Sequence, residues 1–242
     1  MIFLKRKPIL NSAVDPGFPQ NTGMHYLDLL DQVEEVWKPD LYLEIGSRSG
    51  TSLSRRKCNF VGVDPEFKIR APVYNSSKHM LFMQMTSDDF FASGFLSKLG
   101  LTPQMAFIDG MHLFEFALRD FTNAEKVMDK GGLVFFHDVL PFNSGMTSRS
   151  YVPGTPWTGD VWKTILALVE TRPDLHVDVI SAAKTGLACV RGLKGQDGPW
   201  LASYDEMVAR YQNLEMSSYG ISTYLAKINL VTPEDFIASL KP

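Results

Sequence analysis

Four side chains form the most reactive grouping in this 242-residue chain: Asp109, His112, His137 and Asp138. Asp109 follows a strand-sized apolar run, Met105 to Ile108, and His137-Asp138 follows another, Leu133 to Phe136. If those strands are neighbours, about 4.8 Å apart, Asp109, His137 and Asp138 converge at one rim of a sheet. His112 then opens the next helix, three residues beyond Asp109. Two chemistries suit such a rim. A histidine that titrates near neutrality can act as general base toward a hydroxyl, a contribution of ~10²–10⁴-fold. Alternatively, Asp109, His137 and Asp138 hold a divalent cation that makes a bound hydroxyl more acidic. The plain account is that His137 ends its strand and packs, and that His112 is a satisfied structural histidine.

A second grouping lies at the end of the first apolar run, in Leu-Glu-Ile-Gly-Ser-Arg-Ser-Gly-Thr-Ser from Leu43 to Ser52. Gly46 and Gly50 permit a tight turn, and a helix expected near Ser49 offers unpaired N–H groups. Arg48 stands where the dinucleotide fingerprint needs its second glycine, and Glu44 would repel a phosphate. A serine nucleophile elbow is also excluded, because position 48 is not serine. The turn suits a cationic or zwitterionic ligand without phosphate, or serves as an ordinary strand-to-helix connection. Asp64 ends the second run, twenty residues after Glu44, where an acid can accept both hydroxyls of a ribose. Such charge-assisted bonds contribute ~1.5–3 kcal/mol each. Asp64-Pro65 equally starts a turn. Ser87 or Asp88, after the third run, can bond an adenine or cap a helix.

These residues need a scaffold that brings run ends together. Leu41 to Ile45, Phe60 to Val63, Met80 to Met83, Met105 to Ile108 and Leu133 to Phe136 are each continuous and apolar. The stretches Asp88 to Leu99 and Leu113 to Met128 are amphipathic, the second with a stripe of Phe114, Ala117, Leu118 and Phe121. Alternation of this kind predicts a parallel sheet with helices on both faces, a Rossmann-like, doubly wound α/β fold. A helix over His25 to Trp37 precedes it and Pro39 stops that helix. Another helix is expected from Gly159 to Thr171. The last two strands, Val177 to Ile180 and Leu187 to Val190, are joined by Ser181 to Gly186, too short for a helical crossover. They must form an antiparallel hairpin, giving seven strands in all. Helices are expected at Ser203 to Leu214 and, capped by Thr232, at Pro233 to Leu240.

The composition narrows the class. There are 24 basic and 27 acidic residues, a net charge of −3, which disfavours nucleic acid as a partner. Two cysteines, Cys58 and Cys189, point to a reducing compartment. Met1 to Leu10 lacks the apolar stretch of a signal peptide, and no run approaches a membrane span. The expectation is a cytoplasmic protein of one domain. It comprises residues 1–40 as an N-terminal loop and helix, 41–191 as the core, and 192–242 as a helical extension.

Taken together, Glu44-x-Gly46-x-x-x-Gly50, Asp64, Ser87-Asp88, Phe107-Ile108-Asp109-Gly110, Lys130-Gly131-Gly132 and the terminal hairpin resemble a class I S-adenosylmethionine-dependent methyltransferase. The resemblance covers about residues 41 to 191. It implies that Glu44, Gly46, Ser47, Gly50 and Ser52 lie against the methionine portion of S-adenosylmethionine. Asp64 would hold the ribose, Ser87-Asp88 the adenine, and His112 the methionine end or Asp109. The sequence is further similar to the catechol and macrocin O-methyltransferases. There, the resemblance implies, an aspartate at the fourth strand end and an acidic pair at the fifth hold magnesium. Asp109 and Asp138 match, but His137 stands where the family has an acid; magnesium prefers oxygen ligands and imidazole suits softer metals, so this departure weakens the magnesium case and leaves the divalent cation as Mg²⁺ or Mn²⁺.

Residues Leu140 to Trp157 are turn-rich and carry Tyr151 and Trp157 as flat surfaces, which suits a cover for an acceptor. Asp160, in Gly159-Asp160-Val161-Trp162-Lys163, is a substrate ligand or an N-cap. Trp200, Tyr204, Tyr211, Tyr219 and Tyr224 in the extension could complete a pocket, form a homodimer surface, or pack onto the sheet. The resulting expectation is O-methylation of a small hydroxylated molecule such as a sugar or glycoside. The alternatives are an NAD(P)-dependent oxidoreductase and a protein that binds S-adenosylmethionine without turnover.

Overall fold

Four of the five continuous apolar runs become the centre of one sheet because each is buried on both faces, while Met80–Met83 lies at the sheet edge with Phe82 exposed. In the computed structural model, which describes residues 13–70, 72–73, 79–195 and 204–241, they are β1 (Leu41–Ile45), β2 (Asn59–Val63), β3 (Met80–Met83), β4 (Met105–Ile108) and β5 (Leu133–His137). The hairpin strands are β6 (His176–Ile180) and β7 (Leu187–Arg191), and β8 is Asn229–Val231. The order across the sheet is β3-β2-β1-β4-β5-β7-β6-β8. β1 to β5 pair in parallel, whereas β7 pairs antiparallel with both β5 and β6. The chain winds outward from β1 to β3, then returns to β4 on the other side of β1. That reversal opens a crevice at the carboxyl ends of β1 and β4.

The sheet has eight strands rather than seven. The extension returns to the sheet edge and adds β8 in parallel to β6, through Asp178↔Asn229 and Ile180↔Val231. A three-residue strand with Leu230 exposed has too little apolar pattern to be read from sequence. The expectations for Met1 to Leu10, Trp200 and Ser203 concern residues outside those described. Among the described residues, no helix is long and apolar enough to cross a membrane.

Helices cover both faces. On one, α1 (Tyr26–Trp37) and α9 (Pro233–Ser239) bury Leu29, Leu30 and Phe236 against Tyr42, Phe60, Phe107 and Phe135. On the other, α4 (Phe114–Val127) and α5 (Trp162–Thr171) bury Phe121 and Ile165 against Leu43, Val61 and Phe136. Alternation along β1 thus sends Leu43 to one layer and Tyr42 to the other. The expected stretch from Asp88 to Leu99 is two short helices, α2 (Ser87–Ala92) and α3 (Phe95–Lys98). Gly94 divides them at φ +63°. In the extension follow α6 (Tyr204–Tyr211), α7 (Met216–Tyr219) and α8 (Ile221–Leu225). Tyr211 and Tyr224 are buried there, with the Tyr224 hydroxyl donating to the Val139 carbonyl, which commits both to packing.

The helix expected near Ser49 does not form; a single 3₁₀ turn at Leu53–Arg55 takes its place. The reason is local competition for hydrogen bonds. Ser49 pairs with Thr51, the Ser54 hydroxyl donates to the Thr51 carbonyl, and the amides of Lys68 and Arg70 donate to the carbonyls of Arg48 and Ser49.

Candidate active site

Ile108 and Phe136 are register partners, so the residues that follow them, Asp109 and His137, emerge side by side at the rim. His137 Nδ1 lies 3.1 Å from Asp109 Oδ1 and 3.6 Å from Asp138 Oδ2. His112 completes the group. Its Nε2 is 3.5 Å from Asp109 Oδ1 and its Nδ1 is 3.2 Å from Asp138 Oδ2. The second contact is not aligned as a hydrogen bond, and the buried Nδ1 has no hydrogen-bond partner among the described residues. Asp138 reaches inward from a backbone at φ +61°, a left-handed conformation uncommon for a residue with a side chain.

Three further residues hold the imidazoles. Thr185, in the hairpin connection, places its hydroxyl 3.2 Å from His137 Nε2, so both ring nitrogens of His137 are engaged. Tyr26 packs against His137 with ring centroids 4.0 Å apart and the planes tilted by 32°. Trp157, from the loop after β5, stacks on His112 at 5.0 Å and 23°. Thr185 was not foreseen. The available signal was its position two residues before Leu187, which pairs with His137.

The electrostatics follow from this proximity. Burial works against a charge on His137, but the carboxylates of Asp138 and Asp109 outweigh it and push the imidazole up to about 9. His112 is likewise raised against burial, by Asp109 and Asp138. Burial opposes ionisation of Asp109, yet the two imidazoles hold its carboxyl well below the usual range. One ligand atom each from Asp109, His137 and Asp138 lies within 4.8 Å of the others, close to the span of donors around a single ion.

The glycine turn adjoins the cluster, and its glycines answer to protein contacts. Gly46 has φ +94°, and a Cβ there would lie 2.2 Å from the Asp109 carbonyl oxygen. This glycine lets β1 and the reactive end of β4 touch backbone to backbone. At Gly50, with φ +70°, a Cβ would meet Val73 and Ile69. Glu44 is buried on the α1 face, accepting from the hydroxyls of Ser52 at 2.6 Å and Tyr42 at 2.7 Å. Burial pushes its carboxyl up to about 7. The Ser47 hydroxyl donates to the Glu44 carbonyl. Glu44, Ser47 and Ser52 therefore brace the turn from behind.

Asp64 stands at the carboxyl end of β2, beside this turn. Its carboxylate accepts from the Arg48 amide at 3.0 Å and the Glu66 amide at 2.8 Å. Two of roughly four acceptor positions on the carboxylate are thereby used. At the start of α2, Thr86 supplies the cap and Asp88 is held by Arg119 at 2.6 and 2.7 Å. Asp160 does cap a helix, but a different one from its own: it accepts from the Phe114 amide of α4 at 2.7 Å. The structure thus brings Asp109, His112, His137 and Asp138 together, while Asp64 and Ser87-Asp88 stand at neighbouring strand ends.

Residues 43–139 match the sequence model of a family described as a methyltransferase domain. That span contains all four cluster residues. No curated protein matches the chain. Among solved structures, it is similar to the O-methyltransferase TomG of Streptomyces achromogenes, at 14% identity over 69% of this chain and 79% of that one, TM-score 0.49. It is also similar to an O-methyltransferase of Bacillus cereus, at 13% over 72% and 83%, TM-score 0.49. A methyltransferase of Podospora anserina gives 16% over 69% and 77%, TM-score 0.44. At these values the likeness adds nothing to what the strand order already establishes.

Proposed function

We propose that this chain, which carries a class I methyltransferase domain, transfers the methyl group of S-adenosylmethionine to a hydroxyl oxygen of a small molecule of the sugar or glycoside kind. The observation that supports this reading most is the convergence of Asp109, His112, His137 and Asp138 at the rim of β4 and β5, beside the crevice where the strand order reverses. S-adenosylmethionine, when bound, supplies an electrophilic methyl group on a sulfonium. The Gly46–Gly50 turn would receive its methionine portion, with Glu44, Ser47 and Ser52 fixing the turn's shape. Asp64 has acceptor positions left for the ribose hydroxyls, and Ser87-Asp88 borders the adenine.

The protein's share of the chemistry is alignment and proton transfer. An acceptor oxygen held in line with that methyl group would take it, and the protein's residues act on the acceptor. The hydroxyl proton must leave. His137 and His112 are the groups at this rim that can receive it when neutral, each held beside Asp109 and Asp138. Asp109 and Asp138 then balance the charge.

The donor set of Asp109, His137 and Asp138 fits a divalent cation. Such an ion, when bound, would acidify the acceptor hydroxyl. One imidazole among two carboxylates favours manganese over magnesium. Incubation with isotopically labelled S-adenosylmethionine and a panel of sugars, glycosides and phenols tests the reading. Label should appear in a sugar or glycoside. Binding of S-adenosylhomocysteine without transfer to any acceptor would leave a binding protein instead.

A further inference from the structure

Asp160 is 1% exposed, and so is Lys163, although both are charged residues. Charges are retained in an interior when several partners meet them, and here the partners come from the loop after β5, the start of α4, α5 and the C-terminal extension. Asp160 Oδ2 accepts from Arg149 at 2.6 Å and from Lys163 at 2.8 Å. Its Oδ1 accepts from the Phe114 amide, which caps α4 from 46 residues away because Leu113 has no side-chain acceptor. Its own amide donates to the His112 carbonyl at 3.1 Å. Gly159 closes the clasp from the same side. With φ +56°, its missing Cβ would lie 1.7 Å from that carbonyl oxygen.

The loop after β5 is tied to this carboxylate through Arg149, which also grips Glu115, in the first turn of α4, at 2.5 and 3.0 Å. Lys163 continues the connection to the extension by donating to the Gln212 carbonyl at 2.7 Å. The same loop touches His112 a second time, through the Trp157 ring. A helix cap requires one acceptor, and Lys163 alone would neutralise Asp160. Neither role accounts for a second cation reaching in from a partly exposed loop residue.

We infer that Asp160 and Arg149 are positioning residues that couple the loop after β5 to His112, so that the placement of that loop and the setting of His112 against Asp109 and Asp138 are one event. The catalytic consequence rests on the methyl-transfer reading above; the coupling itself does not.

The test uses ring NMR of the 242-residue chain, which has five histidines. The His112 signal is assigned by its loss in His112→Asn. Arg149→Ala is expected to shift or broaden the His112 ring signal while leaving that of His176, on β6, unchanged. Affinity for S-adenosylhomocysteine should stay within twofold, kcat should fall at least tenfold, and Arg149→Lys should recover most of the loss. Asp160→Asn should move the His112 signal in the same direction if it folds, and Arg149→Ala decides the matter if it does not. An unmoved His112 signal in Arg149→Ala would overturn the coupling, whether or not any acceptor is turned over. Absence of turnover with a moved signal would overturn the methyl-transfer reading and leave the coupling standing.

Discussion

His137 Nδ1 and Asp109 Oδ1 stand 3.1 Å apart although 28 residues separate them in the chain. The contact is a product of parallel pairing, since Ile108 faces Phe136 across β4 and β5 and both strands end at the same level. Asp138 then turns back toward the pair at φ +61°. His137 ends β5, and Asp109 and Asp138 directly follow β4 and β5, strands whose side chains are almost all buried.

Cofactor choice is the first prediction. S-adenosylhomocysteine at 100 times its dissociation constant should stabilise the protein by about 2.7 kcal/mol, seen as a clear rise in melting temperature, and NADH should not. Stabilisation by NADH alone would turn the reading to an oxidoreductase. Asp64→Ala should weaken S-adenosylhomocysteine at least tenfold by calorimetry; unchanged affinity would remove Asp64 from the ribose site.

Metal removal is the second. EDTA should lower methyl transfer, and Mn²⁺ should restore it at lower concentration than Mg²⁺. His137→Ala should weaken Mn²⁺ binding, followed directly by the loss of free Mn²⁺ signal in electron paramagnetic resonance. Full activity in EDTA would leave the two imidazoles and two carboxylates to act without an ion.

Glu44 makes a prediction about pH. Burial raises its carboxyl to about 7 in the folded chain, against about 4.3 when unfolded. Between those values the folded state binds more protons than the unfolded state, so stability falls as pH rises. The contribution is fully present below about pH 4 and is lost by pH 7. Urea denaturation of the parent relative to Glu44→Gln should therefore show a difference that declines by about 3 kcal/mol over this range. A constant difference would mean that Glu44 titrates normally.

Gly159 and Gly154 offer a matched comparison. Both have positive φ, but a Cβ at Gly154 meets nothing within 4 Å, whereas one at Gly159 meets the His112 carbonyl. Gly154→Ala should cost about 1 kcal/mol, the penalty of the left-handed backbone alone. Gly159→Ala must displace backbone as well and should cost at least about 2 kcal/mol more. Equal losses by denaturant titration would show that residues 112 and 159 do not press on each other.

The parallel core was legible in the sequence because a strand buried on both faces has no choice but to be apolar throughout, as Met105 to Ile108 and Leu133 to Phe136 are. The hairpin of β6 and β7 was legible because six residues cannot carry a helical crossover. For the same reason the convergence of Asp109, His137 and Asp138 could be anticipated: it depends only on two strands being neighbours. What the tertiary structure alone decided were contacts made at long separation by polar atoms. Thr185 on His137, Asp160 on the first turn of α4, and β8 on the sheet edge leave no periodic mark, since one hydrogen bond places no demand on the residues around it. The glycines divide along the same line. Gly46 announced a tight turn in the sequence, but that it makes room for the Asp109 carbonyl is a fact of packing, set by how closely β1 and β4 approach.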